Sequence, residues 1–262
     1  MPADLTLYTN PMSRGRIARW MLEETGAPYD VVLLDYATTM KAEPYLSINP
    51  MAKVPAIVHR GHVVTEGAAI CAYCADAFPD AGLAPTDDER ADYYRWLFFA
   101  AGPAEHAITN RSMGVAPTAE QQRMAGYGNY DRIIDVLERA VAAHPYIAGN
   151  RFTAADVYVG AQVMWGLQFG SLPKRTAFEE YAGRLASREA LVRAAALDDA
   201  AVAAGVEPAG VRVAAVWSRE DAKTRRGRAC RTRGRFRHDP MGRVERSLER
   251  AIVASSRLCV FA

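Results

Sequence analysis

Residues 5–9, Leu-Thr-Leu-Tyr-Thr, alternate apolar and polar side chains, the two-residue period of a half-buried β-strand. Asn10-Pro11-Met12 breaks that pattern as a loop. Ser13 is then a good N-cap for a helix that carries Ile17, Trp20, Met21 and Leu22 at helical spacing and stops at Gly26. Residues 29–34 read as a second, mostly apolar strand, followed by a polar loop and a short helix ending near Ile48. Strands are expected over 54–58 and 63–65, with His59-Arg60-Gly61-His62 as the hairpin turn between them. Residues 67–78 make a further helix, and 79–85, rich in Pro and Gly, a linker.

The order β-α-β-α-β-β-α describes a small α/β unit with a mixed sheet, placed at residues 1–80. After it the pattern is helical throughout, over 87–101, 119–143, 154–169, 176–185 and 188–204, which sets an all-α domain at 86–205. The run Trp96-Leu97-Phe98-Phe99-Ala100-Ala101 is apolar on every side, so its helix is expected to be buried on most faces. Thr153-Ala154-Ala155-Asp156 has the form of a capping box, a hydroxyl at the helix start answered by a carboxylate three residues on.

Composition narrows the class. Hydrophobic residues make up 50% and charged residues 24%, ordinary for a globular chain of 262 residues. No apolar run approaches the ~18 residues that span a bilayer, and the N-terminus lacks a signal-peptide pattern, so a cytoplasmic protein without membrane contact is expected. Four cysteines do not make a disulfide framework. Cys71 and Cys74 form a C-x-x-C, but they fall mid-helix and no second pair stands at metal spacing. His59, His62, His106 and His144 form no metal-ligand spacing either, so no metal is expected.

The net charge of +2 conceals a split. Residues 206–262 hold 13 Arg and one Lys against two Asp and four Glu, a net of +8, while the first 205 residues carry −6. Such a tail can bind phosphate backbones or an anionic surface. It lacks convincing periodicity before 244–253, and Arg, Ala and Gly are what GC-rich DNA encodes out of frame. It is read as a disordered extension rather than a nucleic-acid-binding segment.

The most informative stretch is Asn49-Pro50-Met51-Ala52-Lys53-Val54-Pro55, with Glu66 following one hairpin later. Proline has no N–H to give a sheet ladder, so Pro55 belongs at a strand's first residue, an edge or a bulge, and it is a candidate for a cis bond. A rigid turn there leaves the N–H and C=O of Val54 pointing outward, where a short peptide can dock as an extra strand. Lys53 and Glu66 can then hold the charged ends of that peptide.

These residues resemble the glutathione S-transferase superfamily, bacterial-type and serine-class-like, over about residues 4–204. The resemblance rests on the βαβ-αββα order of a thioredoxin-like domain, the Asn-Pro-x-x-Lys-Val-Pro run and the position of Glu66. The segment 149–157, Gly-Asn-Arg-Phe-Thr-Ala-Ala-Asp-Val, adds the family's capping box. The resemblance implies a thioredoxin-like domain followed by an all-α domain, a homodimer, and glutathione as co-substrate. It also implies a cis Val54–Pro55 bond, backbone pairing of Val54 with the cysteine of glutathione, and Glu66 at the γ-glutamyl end. One departure stands out, because the family usually has Ser or Thr after the acid and this chain has Gly67. Weaker glutathione binding is expected there, by about the ~1 kcal/mol net value of one hydrogen bond.

Only the thiolate of a thiol peptide is a good nucleophile, so a hydroxyl at a helix N-terminus is the catalytic group to look for. Ser13 is that candidate, and it also joins the glutathione-binding set with Lys41, Lys53, Val54, Pro55, Glu66 and Gly67. Tyr8 and Asn10 are the alternative thiol donors. Arg14 and Arg16 flank Ser13 and are candidates for raising the local positive potential. Trp96, Met113 and Trp165 are the chosen walls of a pocket for a small apolar electrophile between the domains. The expected activity is conjugation of glutathione to that electrophile. Glutathione-dependent disulfide reduction or peroxidase chemistry, or a non-catalytic binding role, are the alternatives.

Overall fold

The computed structural model describes residues 3–205. The basic tail, with every reading made of it, lies outside the described residues. Strand β1 (Leu5–Thr9) leads into helix α1 (Gly15–Thr25), which ends on Gly26 in the left-handed region at φ 66°. Strand β2 (Asp30–Leu33), the short helix α2 (Tyr45–Ile48), strands β3 (Ala56–His59) and β4 (His62–Thr65) and helix α3 (Gly67–Ala77) complete the first unit. The sheet order is β2-β1-β3-β4, with β1 parallel to β2 and the other pairs antiparallel. The hairpin turn falls on Arg60 and Gly61, both at positive φ (51° and 80°), the twist a two-residue hairpin prefers.

Alternation along β1 sets the two faces of the sheet. Leu5 and Leu7 join the main core with Ile57, Trp20 and Met21, where α1 and α3 pack. Tyr8 points the other way, into a smaller cluster with Leu34, Met40, Tyr45, Ala56 and Val54.

Between Arg90 and Ala203 the regular elements are all helices. Helix α4 (Arg90–Phe99) runs through a π-helical stretch (Ala100–Ala104) into α5 (Glu105–Ser112). There follow α6 (Gln121–Met124), α7 (Tyr130–Ala143), α8 (Ala154–Phe169), α9 (Thr176–Ala186) and α10 (Glu189–Ala203). Helix α8 lies at the centre and is buried without a break from Ala154 to Val163. Gly160 permits its close crossing with α9, since a Cβ there would stand 2.3 Å from Leu185 Cδ1. The capping box forms as expected. Asp156 Oδ2 accepts the Thr153 N–H at 2.9 Å, while Oδ1 accepts the Ile147 N–H at 2.7 Å and the Tyr181 hydroxyl at 2.8 Å.

Three expectations need correction. The strand expected at 54–58 begins at Ala56, because the Val54–Pro55 bond is cis and turns the chain before the ladder starts. The helix expected at 87–101 begins at Arg90 and continues past Pro103 to Ser112, since the π-turn accommodates the missing proline N–H. The helix expected at 119–143 is two. Gly126-Tyr127-Gly128 breaks it, with Gly128 at φ 67°, and Asn129 recaps the chain by accepting the Arg132 N–H at 2.9 Å.

Candidate active site

The sheet's register gathers the candidate residues. Tyr8 pairs with Ala56, and Ala56 with Thr65, so the same end of three strands leads to the Asn10–Ser13 loop, to Val54-Pro55 and to Glu66. Sequence separations of some fifty residues close into one rim.

The Val54 edge is held from behind by its own neighbours. Asn49, buried at 5% exposure, donates from Nδ2 to the Lys53 carbonyl at 2.8 Å and accepts the Met51 N–H at 3.1 Å. The Tyr45 hydroxyl donates to the same Lys53 carbonyl. Among the described residues the N–H and C=O of Val54 have no hydrogen-bond partner, so the docking edge is open. The side chain of Lys53 is exposed. Lys41 donates instead to the Ala52 carbonyl at 2.8 Å, which makes it a support of this turn.

Glu66 stands at φ 67°, ψ 118°, a conformation uncommon for a residue with a side chain, immediately before α3. It is exposed; its carbonyl accepts the Ile70 N–H at 2.9 Å, while its carboxylate caps nothing and has no partner among the described residues. Gly67 opens the helix. A Cβ on it would lie 3.1 Å from Tyr158 Cε2, so the ring of an α8 residue occupies the space beside it.

Ser13 precedes the first turn of α1. Its Oγ accepts the Gly15 N–H at 2.8 Å and donates to the Asn10 carbonyl at 2.6 Å. The N-cap of the helix is Arg14, one residue later than expected, with Ser13 still supplying the oxygen at its mouth. Asn10 is otherwise engaged. Its Nδ2 donates to the Leu34 carbonyl at 2.8 Å and its Oδ1 accepts the Met12 N–H at 2.9 Å, so its amide is structural. Tyr8 is half-buried, its ring 5.7 Å from that of Tyr45, and burial pushes its phenol above the usual range.

Arg14 and Arg16 do not leave free positive charge beside Ser13. Arg14 is ion-paired with Glu105 on α5, and Arg16 with Asp199 on α10 at 2.7 Å. The three substrate-wall candidates are not brought together. Trp96 is buried in the main core and Trp165 packs against that core, whereas Met113 is 64% exposed at the end of α5. Aromatic side chains at helical spacing fill the core here because α4 is covered by α8.

Cys71 and Cys74 are fully buried, and burial lifts both thiols, Cys74 to about 12, so neither is a thiolate at neutral pH. Among the described residues no cluster of three or more His, Cys, Asp or Glu could hold a metal, and no helix is long and apolar enough to cross a membrane.

Sequence reasoning missed three members of this assembly. Asn49 fixes the docking turn, Tyr158 faces Gly67, and Glu105 neutralises Arg14. The Asn-Pro pair held a signal for the first; the others come from helices far along the chain.

An open strand edge, an unpaired carboxylate and a hydroxyl at a helix mouth, all on one rim, suit a small thiol peptide. Residues 3–76 match the family model described as glutathione S-transferase, N-terminal domain. Glutathione S-transferase 3 of Zea mays is 30% identical over 172 residues, 59% of this chain and 74% of that protein. A disulfide-bond oxidoreductase of Escherichia coli is 28% identical over 59% of this chain and 58% of its own length. Among solved structures, a sphingomonad glutathione S-transferase complexed with glutathione superposes with a TM-score of 0.60 at 29% identity, covering 74% of this chain and 98% of that one.

Proposed function

Because the chain belongs to the glutathione S-transferase family of enzymes, we propose that it conjugates glutathione to a small apolar electrophile, with Ser13 stabilising the thiolate. The register that sets the Ser13 loop, Val54 and Glu66 at one end of the sheet carries this reading. The cysteine backbone of glutathione pairs with the N–H and C=O of Val54 beside Pro55. The carboxylate of Glu66 takes the ammonium of the γ-glutamyl end, and the α-carboxylate of that end meets the N–H groups of Gly67 and the first turn of α3. Lys53 lies beside the docking edge, available to the carboxylate of the glycine end; Lys41 serves through its hold on Ala52.

The thiol gives its proton to solvent, and the Ser13 hydroxyl donates to the thiolate that remains. Sulfur then attacks the electrophilic carbon, a C–S bond forms, and the leaving group departs as an anion.

A homodimer in the cytoplasm completes the reading. Tyr94 (38% exposed) and Phe98 (67%) stand one turn apart on α4, rings 6.4 Å apart, an apolar face that a second copy would cover. Sedimentation at twice the monomer mass, lost in Phe98→Glu, is the expected result.

Retention on immobilised glutathione together with conjugation of a chloronitrobenzene acceptor tests the catalytic proposal. The likeness to the Escherichia coli oxidoreductase favours a second reading, glutathione-dependent disulfide reduction. Turnover of a mixed disulfide without conjugation would select it.

A further inference from the structure

A side chain at position 67 would press on a ring that comes from the helical part of the fold. A Cβ on Gly67 would lie 3.1 Å from Cε2 and 3.7 Å from Cδ2 of Tyr158. That ring has little room to retreat. Tyr158 is 6% exposed, packed in the main core. On the same helix Gln162 Nε2 donates to Glu105 Oε2 at 2.9 Å, and the other oxygen of Glu105 holds Arg14. These polar contacts tie α8 to α5 and the start of α1, and core packing holds the ring against α3.

The consequence falls on the amino-acid end of the peptide site. Gly67, Ala68 and Ala69 open α3 with backbone N–H groups and no side-chain donor, and no side chain caps the helix. Glu66 beside them keeps a free carboxylate. A ligand's ammonium thus meets a full charge, whereas an α-carboxylate on the same carbon meets backbone donors alone.

We propose that Tyr158 is a specificity-determining residue: by holding position 67 empty it makes the site accept thiol peptides that carry the terminal ammonium but lack the neighbouring carboxylate. The proposal deepens the glutathione-site reading above and rests on it. The substrate class it adds is that of ω-amino-acyl cysteinyl peptides, with γ-aminobutyryl-cysteinyl-glycine as the probe closest to glutathione.

Calorimetric titration of the full chain with glutathione and with that probe tests it, in wild type, Gly67→Ser, Tyr158→Leu and the double variant. Wild type is expected to bind the two peptides within about threefold of each other. Gly67→Ser alone is expected to leave that ratio unchanged, since the new Cβ meets the ring. The double variant, where the hydroxyl has room, is expected to favour glutathione by roughly tenfold, the worth of one hydrogen bond to a charged group. Tyr158→Phe keeps the ring and should keep the wild-type ratio, which separates this role from a general loss of packing.

A wild-type preference for glutathione beyond about threefold would overturn the proposal. So would a full gain in Gly67→Ser alone, or an unchanged ratio in a folded double variant. Should the double variant not fold, the wild-type ratio and Gly67→Ser decide. Binding of neither peptide by the wild type would instead sink the glutathione-site reading itself.

Discussion

The Ser13 hydroxyl donates to the Asn10 carbonyl at 2.6 Å while accepting the Gly15 N–H at 2.8 Å. One oxygen thus serves both as the stop of a loop and as the first acceptor of α1. To reach a thiolate it has only to exchange the Asn10 carbonyl for sulfur, and the Gly15 contact holds it in place meanwhile. Ser13→Ala is expected to lower kcat/KM for conjugation by roughly a hundredfold, the range seen when one preorganised donor is removed. The same change should lower stability by about 1 kcal/mol through the lost helix-start contact. Steady-state kinetics and a denaturant titration check the two effects separately. Tyr8→Phe, whose phenol is held neutral by burial, should change the rate little.

The Glu66 carboxylate makes no hydrogen bond or ion pair among the described residues, so losing its charge should be felt by ligand and hardly by the fold. Glu66→Gln keeps the shape and drops the charge. Glutathione affinity should fall roughly tenfold, the difference between a charged and a neutral hydrogen bond, with the melting temperature unchanged. Isothermal titration and a thermal melt on the same samples measure both.

Asp156 is the hub of the helical part. It is buried, yet it accepts from Thr153, Ile147 and Tyr181 together. Asp156→Ala leaves all these donors unpaired inside the core and should cost about 3–5 kcal/mol, whereas Tyr181→Phe removes one bond and should cost about 1 kcal/mol. Chemical denaturation followed by circular dichroism gives the comparison.

Asp198 on α10 pairs with Arg19 on α1 at 2.8 Å, but its second oxygen is buried without a hydrogen-bond partner among the described residues. Burial outweighs the pull of Arg19 and Arg16 and lifts this carboxyl from 3.8 to about 6. In the same contact Arg19 is held more firmly protonated. The folded state therefore binds a proton more tightly than the unfolded chain, and this group's contribution to stability falls as pH rises from about 4 to about 6. Asp198→Asn should remove that decline, on the order of 3 kcal/mol across the window. Stability measured against pH for both proteins shows it as a difference in slope.

Much of this architecture is legible in local sequence. Strand alternation at Leu5–Thr9, the apolar run of α8 with its Thr153–Asp156 box, and Pro55 at the head of a strand each encode their geometry within a few residues. The failures share a cause. The helix expected at 87–101 runs on through Pro103 because neighbouring helices hold the chain in a π-turn, and the helix expected at 119–143 breaks at Gly126–Gly128, where Asn129 offers a new start. Arg14 and Arg16 look like free cations because their partners, Glu105 and Asp199, lie 91 and 183 residues away. Long-range pairing leaves no local mark, which is also why Tyr158 opposite Gly67 was invisible.

The central claim is that this rim binds glutathione and makes its thiol reactive through Ser13. Ultraviolet titration of the thiolate of bound glutathione tests it most directly. The bound thiol is expected to ionise at least one pH unit below the free value of ~8.5, and to return toward that value in Ser13→Ala. A bound thiol that titrates at the free value in the wild-type protein, or one that stays depressed in Ser13→Ala, would contradict the account.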